Sequence, residues 1–212
     1  MNEQQALNVL YRVKAIITDS HIVYTSGKHG SVYVNKDAIY LHPWETSLLC
    51  NEIAKRFIKD AVDVVIAPAV SGVILSQWVA YHFSRLAGRE VLAMYAEKAE
   101  GGDTFVLKRG YDRFIAGKNV LVVEDVLTTG GSAKKVVVAA RANNGNVIGL
   151  GAFCNRGGIT PQNVANLPKV LALVNVSFDA WDEEECPLCA GNIPINTYVG
   201  KGTEYLVSKK DN

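Results

Sequence analysis

The amino-acid sequence predicts an α/β domain with a mostly parallel central sheet flanked by helices. Three observations carry this reading. Runs of aliphatic and β-branched residues without polar alternation occur at 62–67, 91–95, 120–123, 147–154 and 170–174, the pattern of strands buried on both faces. Between several of them, at 73–86 and 132–142, apolar residues return at helical spacing. Short loops of Pro, Ser, Thr and Gly, at 68–72 and 128–131, join strand to helix. Strands alternating with helices build a parallel sheet with helices on its faces, and ligands of such sheets sit beyond the carboxyl ends of the strands.

In chain order, Ala6, Leu7, Val9, Leu10, Val13, Ile16 and Ile17 form an apolar helical face that predicts a helix ending before Asp19-Ser20. Residues 22–40 carry Val23-Tyr24, Val32-Tyr33-Val34 and Ile39-Tyr40 around Ser26-Gly27-Lys28-His29-Gly30, which reads as a hairpin-like pair of short strands. Pro43 is a good first helical residue, and Leu48, Leu49, Ile53, Phe57 and Ile58 continue an apolar face. After the strand at 91–95, residues 97–113 are polar and rich in Gly, Lys and Arg, as a mobile loop or exposed hairpin would be. The helix at 132–142 is closed by Asn143-Asn144-Gly145.

The chain of 212 residues suits one domain with a full core. A net charge of +1 argues against a broad nucleic-acid-binding face. About twenty residues precede the hairpin, too few for a helix-turn-helix module. Met1-Asn2-Glu3-Gln4-Gln5 lacks the basic-then-apolar pattern of a leader, and no apolar run reaches bilayer length. The expectation is a cytoplasmic protein with neither nucleic acid nor membrane as partner. Of the four cysteines, Cys50, Cys154, Cys186 and Cys189, the last two make Cys-Pro-Leu-Cys. A lone C-x-x-C is half a zinc site, a redox pair or a disulfide. With no second pair to complete four ligands, and with the motif far from any βαβ start, it reads as structural or incidental.

The chemistry concentrates at 120–132. After the strand Leu121-Val122-Val123 come Glu124, Asp125, Val126, Leu127, Thr128, Thr129, Gly130, Gly131 and Ser132. Two adjacent carboxylates at a strand end offer acceptors to vicinal hydroxyls. Thr128 and Thr129 supply hydroxyls, the two glycines let backbone N–H groups converge, and Ser132 opens a helix whose N-terminus favours a phosphate. Hydroxyl acceptors followed within one short loop by a phosphate cradle describe a ribose 5-phosphate site.

This stretch resembles the phosphoribosyl-diphosphate signature of the type I phosphoribosyltransferases. The resemblance implies that Glu124 and Asp125 hold the ribose 2- and 3-hydroxyls and that the loop from Val126 to Ser132 holds the 5-phosphate. Over roughly residues 22–194 the chain is most similar to the orotate phosphoribosyltransferases. Ser26-Gly27-Lys28-His29-Gly30-Ser31-Val32-Tyr33 resembles their S-G-x-x-S-x-Y lid element, with one extra residue before the second serine. Ala67-Pro68-Ala69-Val70-Ser71-Gly72 resembles their pyrophosphate loop, and Cys154-Asn155-Arg156 the strand end whose arginine faces the base. The segment from Glu185 through Cys186-Pro187-Leu188-Cys189 to Pro194 resembles the tail of one bacterial branch. Thr25 and Ser71 stand where many orotate enzymes carry lysines, and Asn155 stands where they carry aspartate.

The resemblance implies one domain over 1–212, with 20–41 and 176–200 forming a hood over the base. It implies substrate contacts from Ser26, Gly27, Lys28, Ser71, Gly72 and Arg156. The partners would be 5-phosphoribosyl 1-diphosphate and orotate, yielding orotidine 5′-monophosphate and pyrophosphate. Mg²⁺ would be held through substrate phosphates and ribose rather than by a dedicated set of protein ligands. Lys98, Lys108 and Arg109 are the cationic candidates on a closing loop hinged at Gly101-Gly102, which would reach the neighbouring site of a homodimer; with Asp125 they form the expected catalytic set. Two alternatives stand beside the orotate reading: a purine base in the same reaction, and a non-catalytic regulator that senses the sugar diphosphate.

Overall fold

The computed structural model describes residues 1–209. Its centre is a six-stranded sheet in the order β10-β9-β8-β5-β6-β7. The strands are β5 (Val64–Pro68), β6 (Leu92–Lys98), β7 (Phe105–Val106), β8 (Asn119–Leu127), β9 (Asn146–Asn155) and β10 (Val170–Asn175). All pair in parallel except β7, which folds back antiparallel on β6. The expected α/β architecture is thus present.

The strands read as unbroken apolar runs because both faces are covered. Along β5, Val65 and Ala67 face one core with Leu121, Val123 and Phe153, beneath α1 (Glu3–Arg12), α3 (Pro43–Arg56) and α4 (Gly72–Ala87). Val64 and Ile66 face the other with Val120, Val122 and Leu150, beneath α6 (Gly131–Ala142). Successive side chains point to opposite faces, so one strand feeds both cores. The chain order steps outward from β5 to β6 on one side and from β8 through β9 to β10 on the other. The direction of winding therefore reverses between β5 and β8, which opens a crevice at their carboxyl ends.

The N-terminal region departs from the sequence expectation in two places. α1, started by an Asn2 capping box, stops at Arg12 rather than running to residue 17. Lys14 adopts a left-handed φ of 55°, which breaks the helix. Ile16 and Ile17 become β1 (Ile16–Ile17), paired with β4 (Tyr33–Val34). A hairpin does form, but its second strand is β3 (His29–Gly30), from the expected loop, pairing with β2 (Ile22–Val23), while Tyr33-Val34 pairs with β1 instead; Ile39-Tyr40 lies in a helical turn, α2 (Asp37–Tyr40), rather than a strand. Residues 97–113 hold the short β6–β7 hairpin and α5 (Asp112–Ile115). At the C-terminal end, α7 (Pro187–Ala190) and α8 (Gly202–Ser208) pack near β2 and β3, with bridges from His29 to Trp181 and from His21 to Ile195.

Candidate active site

The crevice between β5 and β8 is where Asp125 sits, buried at the end of β8. Its Oδ1 accepts from the Val126 N–H at 2.8 Å. Its Oδ2 accepts from the Ser71 hydroxyl at 2.9 Å and the Tyr40 hydroxyl at 3.2 Å, and lies 3.4 Å from Lys36 Nζ. Lys36 also donates to Ser71 Oγ at 3.2 Å. Burial, together with Asp125, raises the Tyr40 phenol far above its ordinary range, so Tyr40 acts only as a donor. Burial first, and then the neighbouring Asp125 carboxylate, push the Glu124 carboxyl up to about 8. Two adjacent carboxyls share one buried strand end, and charging both is costly without a cation or hydroxyl donors.

The loop after β8 turns at Gly130, whose φ of 72° is left-handed. A Cβ there would come within 3.0 Å of Val164 and 3.2 Å of Ile159. The turn starts α6 at Gly131 and leaves Thr128, Thr129 and Ser132 exposed around its N-terminus. A hollow of about 190 Å³ lies there, lined by Val126 to Ala133 together with Glu124. First-turn N–H groups and hydroxyls are the groups that bind a phosphate. The loop is fastened from below, where the N–H groups of Arg156 and Gly157 both donate to the Leu127 carbonyl at 2.9 Å.

A larger cleft of about 790 Å³ adjoins this loop. Glu124, Asp125, Thr128 and Ser132 line it together with Tyr24, Thr25, Ser26, Lys36 and Arg156. Arg156 lies over the Tyr24 ring, 4.4 Å from its centroid, a stacking that fixes the guanidinium plane. Asn155 explains its own departure from aspartate. Its amide donates to the Ile159 carbonyl at 3.0 Å and accepts from the Ile159 N–H at 2.8 Å, and an ionised carboxylate would supply only the acceptor.

The structure thus brings together Glu124, Asp125, the 126–132 loop, Ser71, Ser26 and Arg156. Lys28 is elsewhere: its ammonium pairs with Asp182 at 2.9 Å and it does not line the cleft. Gly27 serves the hairpin turn with φ 82°, and Gly72 starts α4 packed against Ala67. Lys98 lines a neighbouring hollow with Ala69, Val70 and Val73. Lys108 and Arg109 are drawn to Glu97, at 3.7 and 2.8 Å, and away from the cleft. Sequence reasoning missed Lys36 and Tyr40. The one available signal was a charged residue two positions after the apolar Val32-Tyr33-Val34 run. It also took Cys186 and Cys189 as a pair without partners, whereas the fold sets His21 and His29 against them.

A phosphoribosyl transferase domain model matches residues 45–182, which contain β5 through β10 and the phosphate loop. The chain belongs to the phosphoribosyltransferase family, the enzymes that transfer a pentosyl group. Among curated relatives it is 35% identical over 195 residues to the orotate phosphoribosyltransferase of Thermoanaerobacter sp. (strain X514), covering 92% of this chain and 96% of that protein. It is 34% identical over 191 residues to the orotate phosphoribosyltransferase of Thermus thermophilus, covering 88% and 96%. These relatives place it on the orotate phosphoribosyltransferase branch. Among solved structures, Mycobacterium tuberculosis orotate phosphoribosyltransferase superposes with a TM-score of 0.66 at 20% identity, covering 81% of this chain and 95% of that one. The adenine phosphoribosyltransferase of Thermoanaerobacter pseudethanolicus superposes at 0.54 and 15% identity, covering 79% and 99%. At such identities these two show the shared fold and do not discriminate the base.

Proposed function

We propose that this cleft binds 5-phosphoribosyl 1-diphosphate and transfers its phosphoribosyl group to orotate, giving orotidine 5′-monophosphate and pyrophosphate. One observation carries the assignment of roles: Asp125, Ser71 and Lys36 converge at the β5–β8 crevice, one loop away from the start of α6. In this reading Glu124 and Asp125 hold the ribose hydroxyls. Thr128, Thr129, Gly131 and Ser132 hold the 5-phosphate. Ser71 and Lys36 face the pyrophosphate, and Arg156 faces the base.

The anomeric carbon reacts through an oxocarbenium-like state, as glycosides do. Positive charge beside the departing pyrophosphate lowers that barrier, and Lys36 is the fixed cation at that end. Lys98, Lys108 and Arg109 are the cations of the loop that closes over it. The raised Glu124 carboxyl beside Asp125 fits an added cation: among the described residues Lys36 is the one ammonium paired with the two carboxyls, and Mg²⁺ carried on the substrate's phosphates and ribose hydroxyls would supply further positive charge. When bound, Mg²⁺ neutralises charge on the leaving group.

We place the enzyme in the cytoplasm and read it as a homodimer. Four free thiols support a reducing compartment. Among the described residues no helix is long and apolar enough to cross a membrane. Exposed Trp44, Val70, Ile74 and Tyr81 on and beside α3 and α4 support a subunit contact there. Pyrophosphate release with 5-phosphoribosyl 1-diphosphate and Mg²⁺, measured with orotate, adenine, guanine and hypoxanthine in turn, tests the reading. Release with orotate alone is expected. Release only with a purine overturns the base assignment, and no release with any base overturns catalysis.

A further inference from the structure

Four side chains that the transfer reaction does not use converge beside the cleft. His21 precedes β2 and His29 opens β3, while Cys186 and Cys189 lie at the start and within α7. Their ligand atoms all lie within 4.8 Å of one another, and three of the four residues are buried. His21 Nε2 is 2.9 Å from His29 Nδ1. Cys189 Sγ is 3.3 Å from His29 Nδ1 and 3.6 Å from His21 Nε2, and Cys186 Sγ is 3.7 Å from His21 Nε2. Metal–ligand lengths of about 2.0–2.1 Å for nitrogen and about 2.3 Å for sulfur imply tetrahedral edges of about 3.3 Å between nitrogens and about 3.6 Å between nitrogen and sulfur. The four separations of 2.9, 3.3, 3.6 and 3.7 Å match those edges to within a few tenths of an ångström, and the remaining two stay within 4.8 Å.

Hydrogen-bond accounting points the same way. His21 Nδ1 lies 2.7 Å from the Ile193 carbonyl oxygen. A carbonyl only accepts, so Nδ1 carries the proton and Nε2 presents a lone pair to the cluster. His29 Nε2 is buried with no hydrogen-bond partner among the described residues. If His29 Nδ1 held the proton and donated it to His21, His29 Nε2 would be a bare lone pair sealed from any donor. If Nδ1 is bare, Nε2 carries a proton that meets no acceptor among the described residues, and two lone pairs face each other at 2.9 Å, an arrangement that a shared cation holds. An outer hydrogen bond from the second ring nitrogen to a carbonyl is also the common way to orient a metal-bound histidine.

We infer that His21 Nε2, His29 Nδ1, Cys186 Sγ and Cys189 Sγ bind one Zn²⁺. Two thiolates and two imidazoles at tetrahedral spacing select zinc or an iron–sulfur centre. A two-iron cluster with its cysteines on one iron and its histidines on the other would hold the pairs apart. Here sulfur and nitrogen approach to 3.3–3.7 Å. Four protein donors leave no open position, which makes the site structural. On binding, each thiol gives up its proton to solvent as its Zn–S bond forms, with no change of oxidation state.

The ion would join the β2–β3 hairpin to the segment from Trp181 to Ile195. These strands are two residues each and cannot hold themselves in place. The same hairpin carries Tyr24, Thr25 and Ser26 to the cleft wall, and Tyr24 lies under Arg156. The zinc is therefore a positioning element for the base-side wall and touches no substrate itself.

The test starts from metal analysis of the purified full chain by inductively coupled plasma mass spectrometry, a readout independent of any substrate. About one zinc per chain is expected. The Cys186→Ser/Cys189→Ser variant should bind none, and exchange of wild-type zinc for Co²⁺ should give the visible bands of tetrahedral thiolate-bound cobalt. That variant should raise KM for orotate tenfold or more with little change in KM for 5-phosphoribosyl 1-diphosphate. Wild-type protein that is purified without zinc, and that takes up none when reduced and given Zn²⁺, overturns the inference, as does iron with the colour of a cluster. A Cys186–Cys189 disulfide, found by thiol titration of the unfolded chain in chelator, overturns it too. If the variant does not fold, the wild-type measurements still decide.

Discussion

Asp125 accepts hydrogen bonds from Ser71, Tyr40 and the Val126 N–H, with Lys36 beside it. Asp125→Asn keeps the shape and a carbonyl acceptor but removes the charge. A hydrogen bond to a charged group contributes about 1.5–3 kcal/mol, so calorimetric titration should show affinity for 5-phosphoribosyl 1-diphosphate falling roughly 10–100-fold, with the melting temperature little changed. Unaltered affinity would remove Asp125 from the sugar site. Glu124 makes the pH prediction. Its carboxyl is pushed from 4.5 up to about 8 in the folded protein. Between those values the native state holds a proton that the unfolded chain has released, so stability declines as pH rises through the window, by at most about 1.4 kcal/mol per pH unit. Glu124→Gln abolishes this titration. Thermal melts of the ligand-free protein at several pH values should show the variant gaining on wild type as pH rises towards 8. A constant difference across the series would contradict the assignment.

The phosphate loop depends on the element behind it. The turn after β9 donates Arg156 and Gly157 N–H groups to the Leu127 carbonyl, and a Cβ on Gly157 would overlap the Thr128 backbone. Gly157→Ala should displace the loop without adding a charge or removing a hydroxyl. We expect KM for 5-phosphoribosyl 1-diphosphate to rise at least tenfold and stability to fall by about 1–3 kcal/mol, the usual cost of overpacking; wild-type kinetics would show that the loop is not braced there. The same elements set what was legible in the sequence. Strands β5, β8 and β9 showed as continuous apolar runs because both faces are buried, and the acidic pair and glycine loop are consecutive in the chain. The end of α1 was not legible, because a left-handed Lys14 redirects Ile16 and Ile17 from a helix to a strand while keeping the apolar spacing. Lys36 and Tyr40 gain their meaning only when α2 brings them to Asp125. His21 and His29 lie about 160 residues from the cysteines they meet, a separation no local motif records.

At the scale of the whole molecule, the cations expected on the closing loop do not reach the cleft of their own chain. Lys108 and Arg109 pair with Glu97, and Lys98 lines a hollow beside Val70. Two arrangements account for this: the loop swings over its own site, or it serves the neighbouring subunit, as the exposed apolar residues on α3 and α4 favour. Complementation separates them. A chain with Lys98, Lys108 and Arg109 all changed to Ala lacks the loop cations, and the Asp125→Asn chain lacks the sugar carboxylate. In a heterodimer with the loop acting across the interface, the intact pocket of the first chain receives the intact loop of the second. Random pairing in a two-fold dimer makes half the molecules heterodimers with one complete site of two, so co-expressed chains should recover roughly a quarter of wild-type activity. A loop that serves its own pocket gives no complete site in any pairing, and activity should then stay at the level of the two impaired parents.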